Sequence, residues 1–378
     1  MTDLALDKPV PPNAAGPNRT APTARRGMVR PSPTALGVGL LLAVAFGLLP
    51  LVGSEYLFDA ILTPFLALAL AGLGLNILTG YAGQVSLGSA AFMAVGAYAA
   101  FNLSLRLPEL PFVVDILLAG LVAAAVGLVF GLPSLRLRGF YLAVSTLAAQ
   151  FFVQWVFNKV GWFSNNSPSG IVTVPPLSVA GLALDGSVGR YLFGLSVVSV
   201  VTLVVWRLVD SPTGRALAAL RDHETAARVI GLPVLRLKLL AFAVSSFIIG
   251  VAGVLWAFAY LRTVEPAGFN LDRSFQILFI VIIGGLASLR GAFLGAALIV
   301  VFPLALARLG ETLLGGLFDS GVLEMSQRIV LGLLIIAFLI AEPAGLSALL
   351  DRLWHRIAGR LTALCSRLCP RSGSNRSV

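Results

Sequence analysis

The chain has 378 residues, is 58% hydrophobic and only 12% charged, and carries a formal net charge of +10. A soluble domain has roughly 25% charged residues, so a water-facing globular surface is excluded, and the basic excess reads as helix-orienting loops and tails rather than a nucleic-acid binder. Stretches approaching the ~20 apolar residues that cross a bilayer recur and the alternation of a membrane β-barrel is absent, so the fold class is an all-α polytopic membrane protein.

Residues 1–33 are rich in Pro, Ala, Thr and Arg and lack apolar periodicity, which predicts a disordered cytoplasmic N-terminal tail. The apolar run begins late and no small-residue cleavage site follows it, so the region is not read as a signal peptide. A transmembrane domain is predicted over 34–345, with spans near 34–52, 58–79, 86–104, 112–132, 140–158, 190–209, 237–261, 274–287, 291–309 and 326–342. The stretch 274–287 is short for a full crossing and suits a half-helix. Residues 346–378 form a basic cytoplasmic C-terminal tail, which suits either an amphipathic segment on anionic membrane lipid or a solvated tail. Its Cys365 and Cys369, with only His355 nearby, do not make a zinc site.

Ten alternating spans with the N-terminus inside put 20 of the 27 basic residues on the cytoplasmic side. That bias predicts cytoplasmic N- and C-termini. The loop at 159–189 then faces outward, as does the loop at 310–325 with Glu311, Asp319 and Glu324.

Two Gly-rich interruptions break the apolar pattern. The first, "LTGYAGQVSLGSAAF" over 78–92, contains Gly80, Tyr81, Gly83, Gln84, Ser86 and Ser89. Glycine costs about 1 kcal/mol against alanine inside a helix, and polar groups in hydrocarbon need partners. Close helix packing with interhelical hydrogen bonds is one compensation. A broken helix lining a substrate path is the other. The second interruption, "IIGGLASLRG" at 282–291, contains Gly284 and Gly285 and is a weak pointer to an internal repeat. Gln150 and Gln154, four apart, share one face of their span, where they either glue helices together or line the path.

The main soluble segment, "DSPTGRALAALRDHETAARVIGLP", predicts one cytoplasmic helix of about five turns over 212–231. Ser211 is placed to cap it, Pro212 opens it, and Gly231 with Pro233 stops it. Leu217, Leu220, Ala227 and Ile230 make an apolar face, and Glu224 precedes Arg228 by four. Such a helix either packs on its own membrane domain or docks into a groove of a soluble partner.

"ETAARVIG" resembles the cytoplasmic signature of ABC importer permeases, and it stands in a longer block reaching "FAVSSFIIGVAGVLWA". With "NILTGYAGQVSLGSAAFMAVGAYAA", "LRLRGFYLAVSTLA" and "SFQILFIVIIGGLASLRGAFLGAALI", four blocks in order over about 73–300 resemble branched-chain amino acid ABC transporter permeases of the LivM type. Many members carry His or Gln where this chain has Ser89, and "SNNSPSGI" lacks the paired glycines of the corresponding family loop.

The resemblance implies a multi-pass permease subunit of the bacterial inner membrane with no enzymatic chemistry of its own. Glu224, Ala226, Ala227 and Gly231 would couple it to an ATPase. Gly80, Tyr81, Gly83, Gln84, Ser86, Gln150, Gln154, Gly284 and Gly285 are the candidate translocation residues. Implied partners are two ABC ATPase subunits, a homologous permease of the LivH type and an extracytoplasmic substrate-binding protein. No cofactor is expected on this chain, ATP being used by the partners. The implied cargo is branched-chain amino acids, with urea or short amides as the alternative.

The residues oppose two other classes. No G-x-x-x-x-G-K-[ST] phosphate loop is present. No acidic residue is central to a predicted span, since Glu55, Asp59, Glu265 and Asp272 fall near ends. That counts against an ion-coupled secondary transporter, in which intramembrane carboxylates relay ions. The two histidines, both in cytoplasmic segments, offer no convergent catalytic set.

Overall fold

The computed structural model describes residues 42–134, 140–167, 170–179 and 182–314, and short pieces of 329–352. The chain divides into a unit ending at Leu49, of which only 42–49 are described, and a second unit from Pro50 onward. The described part of the first unit is helical, with a π-helical turn at Val44–Leu48.

The second unit is built of helices. In chain order they are α1 (Leu57–Tyr81), α2 (Ser89–Arg106), α3 (Phe112–Ser134), α4 (Phe140–Lys159), α5 (Ser187–Asp210), α6 (Pro212–Asp222), α7 (Glu224–Val229), α8 (Val234–Leu261), α9 (Leu271–Gly284) and α10 (Leu289–Leu314). Among the described residues, six helices are long and apolar enough to cross a membrane. They are α1, α3, α5, α8, α10 and α9 together with the 3₁₀ turn Pro266–Phe269 before it. Helices α2 and α4, of 18 and 20 residues, match two further predicted spans. The predicted spans at 34–52 and 326–342 lie partly or largely outside the described residues.

Helices α1 and α8 are the centre of the bundle. Both are apolar on all sides and mostly buried, whereas α5 and α10 bury little. Small residues bring the central helices close. A Cβ on Gly96 of α2 would collide with the Gly250 carbonyl of α8, and one on Gly253 with the Met93 carbonyl. Contacts of this kind replace the hydrophobic drive that lipid removes.

At 14 residues, α9 is about 21 Å long. That is short of the ~30 Å hydrocarbon core, and only together with the preceding turn, over Pro266–Gly284, does the segment reach the length of a crossing. The α8–α9 connection pairs β4 (Thr263–Val264) antiparallel with β1 (Val172–Thr173). This ties the stretch before α9 to the segment between α4 and α5, which also contains a second small ladder, β2 (Ser178–Val179) with β3 (Leu182–Ala183).

The cytoplasmic helix is not one piece. Ser211 caps α6 as predicted, its Oγ accepting from Gly214 N at 3.3 Å, and Gly231 stops the segment at φ +85°. Between them His223 is extended, at φ −152° and ψ 96°, and separates α6 from α7. Asp222 and His223 are both weak helix formers, and Asp222 is engaged by the Arg221 guanidinium at 2.9 Å. The predicted apolar face is also corrected. Leu217, Leu220 and Ala227 are buried against Leu78, Ala82, Leu142, Leu237 and Phe242 of the chain's own bundle, while Ile230 is 71% exposed.

The close crossing of α2 and α8 gives a stability test. Gly253→Val forces branched carbon against backbone and is expected to cost roughly 1–3 kcal/mol, whereas Gly186→Ala, with nothing within 4 Å, should stay within about 0.5 kcal/mol. Unfolding of the two variants in detergent measures the difference.

Candidate translocation and coupling site

The two interruptions meet. Helix α1 leaves α-helical geometry in a π-helical turn at Ile77–Tyr81, and the chain runs without regular structure from Ala82 to Gly88 before α2 begins. Asn76, at the last α-helical turn of α1, donates from Nδ2 to Ser288 O at 2.8 Å and accepts from Ala287 N at 2.9 Å. One amide side chain thus satisfies a donor and an acceptor of the α9–α10 turn. Gly80 lies in this contact, and a Cβ there would collide with Asn76 Oδ1 and Ala287 N. Gly285 is at φ +109°, a conformation glycine adopts freely, and a Cβ on Gly284 would collide with the Gly291 carbonyl. Gly80 and Gly284 therefore serve close approach, and Gly285 a positive-φ turn.

The unwound stretch is held by local and distant bonds. Gln84 N donates to Leu78 O at 2.9 Å, and Gln84 O accepts from Thr79 Oγ1 at 3.2 Å. Gln84 and Ser86 are buried, while Gly83 and Val85 are exposed. Ser86 Oγ accepts from Gly88 N at 3.3 Å. Leu87 N donates to Thr146 Oγ1 of α4 at 2.9 Å. Buried Gln84 Nε2 and Ser89 Oγ have no hydrogen-bond partner, and Tyr81 is half-buried.

The first turn of α2 has donors that no preceding turn can satisfy, and other helices supply the acceptors. Ala91 N donates to Gln150 Oε1 at 2.6 Å and Ala90 N to Ser274 Oγ of α9 at 2.9 Å. Ser274 Oγ donates in turn to Gln150 Oε1 at 3.1 Å, and Gln150 Nε2 donates to Phe269 O at 2.8 Å. Gln150 thus joins α2, α4 and α9. Gln154 is only half-buried and takes no part in this junction.

The cytoplasmic segment grips the same interruption. Arg221 Nη1 of α6 donates to Gly80 O at 3.1 Å. Gly83, at φ +69°, passes so close that a Cβ would come within 3.0 Å of the Arg221 side chain. Glu224 ties α7 to α8 through Lys238 at 3.0 Å, the lysine side chain being 10% exposed, and reaches Arg228 at 3.3 Å as its spacing predicts. Ala227 faces the bundle, whereas Ala226, Val229, Ile230 and Gly231 are exposed. Two anchors therefore connect the exposed tip to the membrane helices. Lys238, Arg221, Thr146 and Ser274 were not singled out for these roles in the sequence. The available signals were a lone lysine in an apolar run and single hydroxyls inside spans.

The sequence also matches known proteins. A family model described as branched-chain amino acid transport system / permease component covers residues 57–339, which include both interruptions and the cytoplasmic segment. The high-affinity branched-chain amino acid transport system permease protein LivM of Salmonella typhimurium is 36% identical over 253 residues, covering 61% of this chain and 59% of that protein. The protein of the same name from Escherichia coli is 35% identical over 285 residues, covering 69% and 65%. A probable LivM of Methanocaldococcus jannaschii is 27% identical over 270 residues, covering 62% and 76%. The chain thus spans about three fifths to two thirds of the length of the first two relatives. No solved structure gives a significant match. With a family match across its whole described helical core, this multi-pass membrane chain belongs to the branched-chain amino acid transport system / permease component family.

Proposed function

We propose that the chain is the transmembrane permease subunit of an ABC importer and forms part of the path for branched-chain amino acids. The observation that carries this reading is the single family match over residues 57–339, with relatives named as branched-chain amino acid permeases. The subunit works with two ABC ATPase subunits, a homologous permease of the LivH type and an extracytoplasmic binding protein. It binds no cofactor, because ATP is used by the ATPases. It resides in the bacterial inner membrane with both termini in the cytoplasm, in keeping with the distribution of its basic residues.

The ATPase engages the exposed tip at Ala226 and Val229–Gly231, beside Glu224. Leu217, Leu220 and Ala227 are committed to the bundle and transmit rather than dock. A push on α7 reaches α8 through Glu224–Lys238, and a push on α6 reaches the helix interruption through Arg221 and the Gly80 carbonyl. The unwound stretch is the part of the bundle best suited to move, since it is held by a few hydrogen bonds rather than a helical ladder. Gln84 and Ser86 contribute uncharged polar groups, which pass a zwitterion without trapping it.

Three outcomes are expected. In proteoliposomes containing all partners, leucine uptake should require ATP, and the purified chain alone should not hydrolyse ATP. Uptake driven by an ion gradient without any ATPase would refute the reading, and an assembly that carries only urea or short amides would refute its cargo.

Gly231→Val, which imposes a left-handed strain of roughly 1–2 kcal/mol on the tip, and Glu224→Gln should each lower ATP-coupled uptake several-fold while the subunit still inserts. Normal uptake in both would remove the coupling role.

Arg221→Met should leave complex assembly intact but uncouple ATP turnover from uptake, seen as more ATP consumed per leucine carried. An unchanged ratio would leave the arginine a packing role only.

A further inference from the structure

Arg273, in the first turn of α9, is a cation in a membrane helix without a salt bridge, its neighbour Asp272 being exposed. It is largely shielded, and among the described residues no carboxylate pairs with it. Its guanidinium lies over the Trp256 ring, 4.1 Å from the centroid, and Nη1 donates to the neutral amide oxygen of Gln276. Arg273 Nε is buried without an acceptor, and so is Nε1 of Trp256, a side chain only 4% exposed. Tyr260 packs against Trp256 at a tilt, their ring centroids 4.7 Å apart.

A structural role explains this poorly. Arg190 shows the alternative within the same bundle: it is buried too, but it pairs with Asp59 at 2.9 Å and donates to Ala259 O at 3.2 Å. Arg273 also sits at the wrong end of its helix, since a cation in the first turn opposes the helix dipole. An ionisable group inside a membrane segment is costly and marks a candidate functional site, and here the one neighbouring carboxylate, the exposed Asp272, leaves the buried donors of the stack unfilled. The arrangement offers a planar cation and two unfilled N–H donors side by side. That is the complement of a carboxylate. The next residue, Ser274, belongs to the Gln150 junction that caps α2, so the cation adjoins the candidate path.

The geometry points to Arg273, backed by Trp256, as a binding site for the α-carboxylate of the zwitterionic cargo. This rests on the amino-acid reading above. It adds a specific contact, and it makes the chain select for a carboxylate group whatever the cargo side chain.

The test uses the complete importer in proteoliposomes, with labelled leucine as the probe. Arg273→Gln should lower uptake about tenfold or more, while co-purification with the partner subunits stays at the wild-type level. Arg273→Lys should retain part of the uptake, and Trp256→Phe, which keeps an aromatic face but removes the N–H, should raise the half-saturating concentration several-fold. Three results would overturn the proposal. One is normal leucine uptake by Arg273→Gln. Another is release of the second permease from that variant, which would make the counter-ion a partner's carboxylate. The third is a wild-type requirement for anionic lipid that the variant loses, which would make it a lipid phosphate. A wild-type importer that carries no leucine at all would instead remove the amino-acid reading on which the proposal stands.

Discussion

Backbone polar groups cannot be left unpaired in hydrocarbon, and this chain breaks a helix inside its own bundle. Between Tyr81 and Ser89 the regular ladder is absent, so carbonyl and amide groups there need partners from elsewhere. The partners come from several helices. Thr146 takes the Leu87 amide, Gln150 and Ser274 take the first turn of α2, and Arg221 takes the Gly80 carbonyl. Asn76 performs the same service for the α9–α10 turn. The packing of α4, α6, α9 and α10 around α1 and α2 follows from where these bonds must be made.

The same constraint explains the link between cytoplasm and membrane. A regular helix end would present its last carbonyls to water or to a capping residue. Here one of them is held by an arginine on the cytoplasmic segment, with Asp222 fixing the guanidinium from the other side. Glu224 and Lys238 form a second anchor whose lysine is nearly buried. Removing either partner of such a pair exposes an uncompensated charge to a poor solvent. The two anchors thus resist separation of the amphipathic segment from the bundle, and its exposed tip can move only with the helices beneath it.

Much of this was legible in the sequence. Apolar runs long enough to span gave α1, α3, α5 and α8 to within a few residues, because length and apolar composition together decide a membrane helix. Gly80, Gly83, Gln84 and Ser86 marked the interruption, and Ser211, Pro212 and Gly231 marked the limits of the cytoplasmic segment. What was hidden has identifiable causes. Leu217, Leu220 and Ala227 repeat at helical spacing, but an amphipathic face does not name what covers it, and here the chain's own bundle does. The break at His223 falls at two weak helix formers, Asp222 and His223, a preference too slight to mark a boundary by itself. The meeting of Asn76 with Ala287 and Ser288 joins residues more than 200 positions apart, and no local pattern encodes such a pairing. Gln150 and Gln154 looked equivalent by spacing, yet only Gln150 reaches the first turn of α2.

The junction at Gln150 has a consequence for how this sequence can change over generations. Its amide answers two helices and a loop carbonyl at once, and Ser274 shares both of its contacts with α2 and with Gln150. Residues that share partners do not contribute independently. A substitution at either position orphans groups that only a compensating change at the other can satisfy, so drift at these sites must proceed in concert. Descendant sequences are expected to vary freely along the exposed faces of α5 and α10 while carrying positions 150 and 274 as an inherited pair.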